Sequence, residues 1–361
     1  MRCSQVHSLH GSAILASNIS ARSDECITVA TDRFTGLPRR SCSGPFGCLP
    51  CKHPPPSTDF VAGGPVSTST SGVVLCFDST YTWPACVAMH SVIQTWESPD
   101  PLNIYCLCNS TLTPADRAAV ESVGKQRNTR LHIIDIDISV PEIRIEHLSA
   151  MAYARAVAPE LIDAEFLVYI DCDVIACASL HTLLRPIASD YPLAAARDVY
   201  GPELAAPHIG PDRFPFGRRA GTFPYFNSGV MAIDVARWRK QKITPRVRDL
   251  MRDPDWRPAL DDQDTLNHVL DGRFEMLDPR WNVVPVGFLN RSFNSTSIPG
   301  DRYVPAEYQR DLEESPWMVH YLTGRKPWLV DYGDDPLGHR WHAVETEVAG
   351  VLGRVTAPRT G

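Results

Sequence analysis

Two aspartates separated by one residue, Asp171 and Asp173, follow a short apolar run in the sequence FLVYIDCDVIA. Successive side chains alternate along an extended backbone, so residues two apart point the same way. Two converging carboxylates repel each other unless a cation or protons compensate their charge. A divalent cation would do so, and oxygen ligands suit Mn²⁺ or Mg²⁺. The motif is short and also occurs in solvated turns at strand ends, so its surroundings must decide between the two interpretations.

The segments around this pair alternate between apolar strands and helices. The predicted strands are VVLCF, NIYCLC, LHIIDI and FLVYI, and the predicted helices cover about residues 83–96, a segment opened by Thr113, Pro114 and Asp116, and residues 149–159. Such alternation is typical of a mostly parallel sheet with helices on both faces. Ligands of these sheets bind at the carboxyl ends of the strands, where the aspartate pair falls. The sequence therefore predicts an α/β domain with its chemistry at that edge.

Composition narrows the function classes. A chain of 361 residues can bury a sizeable core, and its net charge of -7 argues against a general nucleic-acid binder. We find no apolar run of eighteen residues, the length that a membrane-spanning helix needs. The start of the sequence also has no signal-peptide core, so the eleven cysteines are expected to be free thiols. The expected location is the cytoplasm, and peripheral contact with the inner face of a membrane stays open.

Three regions are predicted. Residues 1–71 form a Cys- and Pro-rich N-terminal extension that is expected to be poorly ordered, residues 72–335 form the main domain, and residues 336–361 form a C-terminal helix or tail. The extension contains a cluster that could bind zinc but lacks paired C-x-x-C spacing, so cysteines scattered in a loop are the favoured interpretation. Its members are Cys42, Cys48, Cys51 and His53.

Five segments, in order, resemble glycosyltransferase family 8: YIDCDVIACASLHTLL, YFNSGVMAIDVARWRK, DDQDTLNHVL, RWNVVP and HYLTGRKPW. That family includes glycogenin and bacterial lipopolysaccharide galactosyl- and glucosyltransferases. The similarity extends from about residue 73 to residue 328. It implies the nucleotide-diphospho-sugar transferase fold of the GT-A type, an α/β fold with a mostly parallel central sheet flanked by helices. It also implies dependence on Mn²⁺ (or Mg²⁺) and retention of the anomeric configuration.

Carried over by position, the resemblance assigns Asp171 and Asp173 as metal ligands and His320 as the third. A structural role is the alternative for a lone histidine near an apolar run. Lys326 matches the lysine that contacts the diphosphate, with an ordinary surface lysine as the alternative. The family usually has a glycine three residues after the histidine. This chain has threonine there and Gly324 one residue later, which leaves the role of Gly324 in diphosphate binding open.

The same resemblance assigns the uridine site to LCFDSTYTWPACVAMHS. Asp78 would accept a hydrogen bond from the uracil N–H, and Tyr81 would stack on the ring. A core aromatic at a helix start is the alternative for Tyr81. Bacterial relatives often have a second acidic residue directly after the first, and Ser79 takes that place here.

Several residues match family positions that contact the donor sugar or, in the case of Asp198, either the donor sugar or the acceptor. For Arg155 the structural alternative is an arginine on a helix surface, and for Asp262 it is an ordinary helix N-cap. Gly229, beside one of these positions, would allow a close approach to the backbone. The matched residues are Arg155, Asp198, Asn227, Asp262 and Gln263.

The predicted activity is transfer of a glucose or galactose unit from a UDP-sugar to a hydroxyl of a saccharide or lipopolysaccharide-type acceptor. Gln263 is an amide and a poor nucleophile, so same-face attack is preferred over a covalent intermediate on Asp262 or Asp198. A sugar-nucleotide-binding protein with impaired catalysis is the alternative. A nucleotidyltransferase ranks third, because DSTYTWP contains neither glycine nor a basic residue. The hexose and the acceptor stay open, and the long loop over residues 200–223 is expected to form a lid or acceptor wall.

Overall fold

The computed structural model describes residues 70–138, 150–199, 224–285 apart from positions 254, 257 and 259, 306–322 and 324–353. The predictions for the zinc-like cluster, for nearly all of the N-terminal extension and for the loop over 200–223 therefore lie outside the described residues.

Seven strands of the described chain form the central sheet, in the order β3-β2-β1-β4-β7-β6-β8. All neighbouring pairs are parallel except those of β7, which runs antiparallel to β4 and β6. Strands β5 and β9 pair antiparallel in a separate two-stranded sheet. The bounds are β1 Gly72–Phe77, β2 Leu102–Cys108, β3 Thr129–Asp135, β4 Phe166–Ile170, β5 Val174–Ala176, β6 Leu193–Arg197, β7 Phe226–Asp234, β8 Glu275–Met276 and β9 Met318–His320.

Helices cover both faces of the sheet. They are α1 Thr82–Thr95, α2 Pro114–Gly124, α3 Ala154–Leu161, α4 Val235–Lys240, α5 Ile243–Arg252, α6 Asp261–Leu270, α7 Ala306–Glu314 and α8 Pro336–Val351. Thr113 caps α2 through a capping box with Asp116, as the local sequence predicts. The third helix differs from its predicted span, since a 3-10 turn over Ala150–Tyr153 precedes α3.

The buried residues divide between the two faces of the sheet. Along β1, Val73 and Leu75 belong to the cluster that contains residues of α1, α2 and α8, whereas Val74 belongs to the cluster that contains residues of α3, α5 and α6. A strand buried on both faces needs apolar residues at every position, which explains the continuous apolar runs. The predicted α/β class, with a mostly parallel sheet flanked by helices, is confirmed.

The C-terminal helix α8 is part of this core. Its Trp341 is fully buried, and its Glu345 accepts a hydrogen bond from Trp83 Nε1 of α1 at 2.9 Å. Glu347 lies 3.0 Å from His90 Nε2 on the same partner helix. Helix α8 therefore packs against α1, with polar contacts between them as well as buried apolar residues.

Two further sequence expectations can be compared with the described residues. Their cysteines are free thiols, as expected. None of their helices combines the length and the apolar content that crossing a bilayer requires.

Candidate active site

The sheet topology gathers the predicted site residues at one edge. Strands β1, β4 and β6 run in the same direction, so their carboxyl ends meet there. Asp78, Asp171 and Asp198 directly follow these three strands. Antiparallel β7 begins at the same edge, with Asn227 as its second residue. This is the edge at which α/β sheets bind ligands.

Asp171, Asp173 and His320 lie together, although about 150 residues separate the histidine from the aspartates. One ligand atom from each falls within 4.8 Å of the other two. His320 Nε2 lies 3.6 Å from Asp171 Oδ2 and 3.3 Å from Asp173 Oδ1. The pairing of β5 with β9 explains this proximity, because it sets His320 opposite Val174, the residue after Asp173.

The charges around Asp173 favour its ionised form. Burial opposes ionisation, but the charge of Lys326, together with the interaction with His320, outweighs it and holds the pKa of Asp173 well below its usual value. Two carboxylates and an imidazole nitrogen suit a divalent cation such as Mn²⁺ or Mg²⁺, so the donor set fits the metal that the sequence resemblance implies.

Gly229 leaves the space that this group requires. A Cβ atom added at Gly229 would lie 2.2 Å from His320 Cε1 and 2.8 Å from Asp171 Oδ2. Any side chain at this position would therefore displace the imidazole or the carboxylate. The atoms that approach Gly229 most closely therefore belong to His320 and Asp171, two of the protein's own candidate metal ligands.

Arg155 orients two carboxylates at once. It is 5% exposed, so the alternative of a helix-surface arginine is excluded. Its Nη2 lies 2.8 Å from Asp171 Oδ1 and its Nε 3.1 Å from Asp262 Oδ2, and Nη1 donates to the Ser228 carbonyl and hydroxyl oxygens. Asp171 Oδ1 also accepts a hydrogen bond from Tyr169 Oη at 2.5 Å, which leaves Oδ2 toward His320.

Asp262 lies at the start of α6, but its role differs from that of a helix cap. Leu260 is the N-cap residue, and the Asp262 carboxylate faces Arg155 and accepts from Ser228 Oγ at 3.2 Å. Burial raises the pKa of Asp262 to about 7, against the lowering effect of Arg155.

The residues matched to the donor sugar form a second polar group. Asp198 Oδ2 accepts from Asn227 Nδ2 at 2.9 Å and from Gln263 Nε2 at 3.1 Å. Gln263 Nε2 also donates to Tyr225 Oη at 3.1 Å, and its Oε1 accepts from the Ser228 backbone N–H at 3.1 Å. Both ends of the Gln263 amide are therefore engaged, and the side chain is held in one orientation.

Asn282 joins the two groups, although its sequence context predicts no role for it. Its Nδ2 donates to Asn227 Oδ1 at 2.9 Å, and its Oδ1 lies 2.9 Å from His320 Nδ1. Asn282 falls in the quoted segment RWNVVP, but an uncharged amide beside an apolar run gives no local signal of a functional role. Tyr169, Tyr225 and Ser228 also have hydrogen-bonding side chains that carry no local signal of a functional role.

A cleft extends from the aspartate pair toward the end of β1. Its lining includes six of the predicted site residues: Asp78, Tyr81, Arg155, Asp171, Asp173 and Lys326. Asp78 Oδ1 accepts hydrogen bonds from the Thr80 backbone N–H at 3.0 Å and from Thr80 Oγ1 at 2.6 Å. These bonds fix the carboxylate at the entrance of α1.

An aromatic column supports this end of the cleft. The Tyr81 ring is edge-on to Trp328, with centroids 5.9 Å apart, and Trp328 lies 4.9 Å from Trp341 of α8. Tyr81 is only partly buried, so it combines the core role with a face on the cleft. The C-terminal helix thus supports this end of the cleft from behind, through Trp328.

Lys326 is buried and aimed at the aspartate pair. It is 4% exposed, forms an ion pair with Asp173 and donates to the Tyr321 carbonyl oxygen at 3.0 Å. The alternative of a surface lysine is excluded. Gly324 is exposed, and residue 323 lies outside the described residues.

Comparison with known proteins points to one family. A model described as glycosyl transferase family 8 matches residues 72–331. The chain is 28% identical over 264 residues to general stress protein A of Bacillus subtilis (strain 168), covering 71% of this chain and 86% of that protein. It is 26% identical over 162 residues to the lipopolysaccharide 1,2-glucosyltransferase of Escherichia coli (strain K12), covering 45% of this chain and 44% of that protein. Among solved structures, galactosyltransferase LgtC in complex with donor and acceptor sugar analogues aligns with a TM-score of 0.59 at 26% identity, over 80% of this chain and 97% of that one.

Proposed function

Because the chain belongs to glycosyl transferase family 8, we propose that it transfers a hexose, glucose or galactose, from a UDP-sugar to a hydroxyl of a saccharide acceptor. One observation carries this proposal: three kinds of group converge at the ligand-binding edge of the sheet. They are the candidate metal group (Asp171, Asp173 and His320), the buried Lys326 and the carboxylate of Asp198 on the sugar side. Similarity to a lipopolysaccharide glucosyltransferase and to a galactosyltransferase supports a hexose donor and a lipopolysaccharide-type acceptor.

The departing UDP requires stabilisation of negative charge on its diphosphate. Asp171, Asp173 and His320 would hold Mn²⁺ or Mg²⁺, which acts as a Lewis acid on phosphate oxygens. Lys326 adds a compact positive charge to the same end of the cleft. Its ammonium already contacts Asp173, so the lysine and the aspartate pair would act on the same diphosphate. Gly324 is proposed only as a neighbour of the diphosphate, because its position is shifted by one residue.

The sugar side positions the hexose without offering an unoccupied nucleophile. Asp198, Asn227 and Gln263 form a hydrogen-bonded group suited to sugar hydroxyls. The Gln263 amide is engaged at both ends, and Asp262 is bound to Arg155 and Ser228. We therefore infer retention by same-face attack, with the leaving phosphate oxygen accepting the proton of the acceptor hydroxyl. Trapping a glycosyl-enzyme adduct on Asp262 or Asp198 would contradict this mechanism.

The nucleoside end would receive uridine. Asp78 would accept a hydrogen bond from the uracil N–H, and the partly exposed Tyr81 ring would offer a flat apolar face to the base. Their common cleft with Asp173 supports this assignment.

The test is UDP release from a panel of sugar nucleotides, with and without Mn²⁺. We expect UDP-glucose or UDP-galactose to be hydrolysed in a Mn²⁺-dependent manner, and faster when a lipopolysaccharide-type saccharide is added. Tight UDP-hexose binding with no release under any condition would favour the catalytically impaired alternative. Failure to bind any UDP-sugar would overturn the proposal.

A further inference from the structure

A chain of hydrogen bonds links Asp198 on the sugar side to His320 of the metal group. Which atom donates and which accepts along this chain can be worked out from its Asn227 end. A backbone N–H can only donate, and that of Gly229 lies 3.0 Å from one terminal atom of the Asn227 amide. That atom is therefore the amide oxygen. The amide nitrogen of Asn227 then points to the Asp198 carboxylate at 2.9 Å, which can only accept in its ionised form.

The same argument passes to Asn282. The Asn227 oxygen accepts from the Asn282 amide at 2.9 Å, so the atom of Asn282 that faces it is the nitrogen. The oxygen of Asn282 therefore faces His320 Nδ1, also at 2.9 Å. An amide oxygen cannot donate, so the proton of this hydrogen bond belongs to Nδ1 of the imidazole.

This proton position determines what the other ring nitrogen presents. A neutral imidazole with its proton on Nδ1 has a lone pair on Nε2. His320 Nε2 is the atom that faces Asp171 and Asp173. His320 is 1% exposed and Asn282 is 5% exposed, so bulk water does not replace the bond between them.

We propose that Asn282 is a positioning residue that holds His320 in the Nδ1–H tautomer and thereby presents its Nε2 lone pair to a divalent cation beside Asp171 and Asp173. The inference rests on the proposed function, since it presumes that this group binds a cation. Partners of metal-bound histidines orient the ring and select its tautomer in this way. Because the chain of bonds continues to Asp198, the same asparagine also connects the metal group with the sugar side.

The first measurement needs no substitution in Asn282. A two-bond ¹H–¹⁵N correlation spectrum of the wild-type protein, taken well above the ordinary histidine pKa of about 6.5, reports which nitrogen of each imidazole bears the proton. The signals of His320 are identified by their loss in His320→Gln. We expect His320 to be protonated on Nδ1, and a proton on Nε2 would overturn the inference.

The second measurement is Mn²⁺ affinity in the absence of any sugar nucleotide, by titration calorimetry. Asn282→Ala removes the acceptor and is expected to weaken Mn²⁺ binding roughly 10- to 100-fold, the usual effect of losing such a partner. Asn282→Asp is nearly isosteric and keeps an acceptor for Nδ1–H, although its other oxygen then faces Asn227 Oδ1 in place of a donor. It is expected to lose less Mn²⁺ affinity than Asn282→Ala. A loss in the Asp variant as large as that in the Ala variant would overturn the inference.

Asn103→Ala is the matched control. Asn103 is 3% exposed, and its Oδ1 lies 3.4 Å from His132 Nε2, but this pair lies on β2 and β3 away from the cleft. We expect this variant to keep the wild-type Mn²⁺ affinity, which separates the role of Asn282 from the general effect of removing a buried amide. A wild-type protein that binds no Mn²⁺ would overturn this role, whereas the proposed function is overturned only if the protein binds no UDP-sugar. A wild-type protein that binds Mn²⁺, with equal affinity in Asn282→Ala, would overturn the inference alone.

Discussion

The two ends of the cleft are built on different physical principles. At the sugar and metal end, buried polar side chains from β7, α6 and the strand termini are linked by directional hydrogen bonds, such as those of Arg155, Asn227 and Asn282. At the nucleoside end, Tyr81 and Trp328 are supported by apolar contact with the C-terminal helix. Directional bonds depend on one atom in one place, whereas aromatic packing tolerates small shifts. The comparison predicts that substitutions at the first end mainly reduce turnover and that those at the second mainly weaken binding.

Loss of a candidate metal ligand should have the largest effect. Asp173→Asn removes a carboxylate charge opposite His320 and Lys326, and we expect Mn²⁺-dependent UDP release to fall by about 10³-fold. Circular dichroism should show that the fold is retained. Asp135→Asn, which changes an acid at the end of the edge strand β3, is the control and should keep full activity. Full activity in Asp173→Asn would contradict the metal assignment.

The second-largest effect is expected from adding a single methyl group at Gly229. Gly229→Ala would set a Cβ 2.2 Å from His320 Cε1, and the shift of the ligands that follows should reduce turnover about 10²-fold. Gly350→Ala in α8 meets no atom within 4 Å and should leave turnover unchanged. Because alanine suits a helix better, it should raise the free energy of unfolding by about 0.5–1 kcal/mol in chemical denaturation. Equal turnover in the two variants would show that the space at Gly229 is not required.

Substitution of Lys326 tests the part of the cleft between the two ends. Lys326→Ala removes a charge-assisted contact with the diphosphate worth about 1.5–3 kcal/mol, so the Kd for UDP-hexose should rise roughly 10- to 100-fold in equilibrium titrations. Lys125→Ala removes an exposed lysine that pairs with Glu121 and should leave the Kd unchanged. An unchanged Kd in Lys326→Ala would remove its diphosphate role.

The nucleoside end should show the smallest effect. Tyr81→Leu loses the ring face, and a stacking contribution of about 0.5–1.5 kcal/mol corresponds to a rise in the KM for UDP-hexose of roughly two- to tenfold, with kcat nearly unchanged. Tyr81→Phe keeps the ring and should resemble wild type. A fall in kcat larger than the rise in KM would contradict the distinction between the two ends.

Much of this architecture follows from local patterns. The apolar runs identify β1, β2 and β4, which are buried along their whole length, and Thr113 with Asp116 marks the start of α2, because burial on both faces and helix capping depend on residues close in sequence. The antiparallel direction of β7 was not predicted, since FNSGVMAID contains no signal of strand direction. The burial of Trp341 could not be separated from a surface amphipathic pattern either, because both place apolar residues along one side of a helix.

The candidate site was predicted unevenly. The positions of Asp171 and Asp173 after an apolar strand indicate chemistry by themselves, and the similarity to a known family assigned His320, Arg155 and Lys326. Nothing local indicates Asn282 or Ser228, whose importance lies in what they contact. Asn282 is 38 residues from His320 and 55 residues from Asn227, so its contacts arise only when β7 and β9 come together.

The amino-acid sequence alone determined the alternation of the first four strands with the first three helices and which residue types stand at those strand ends, because hydrophobic burial and backbone preferences act over a few neighbouring residues. Only the tertiary structure decided which oxygen of Asp171 faces His320, which way the two amides point and how α8 supports the cleft. Hydrogen-bond direction and side-chain contact are set by atoms that are distant along the chain, and those atoms become neighbours only after the sheet and its helices have packed together.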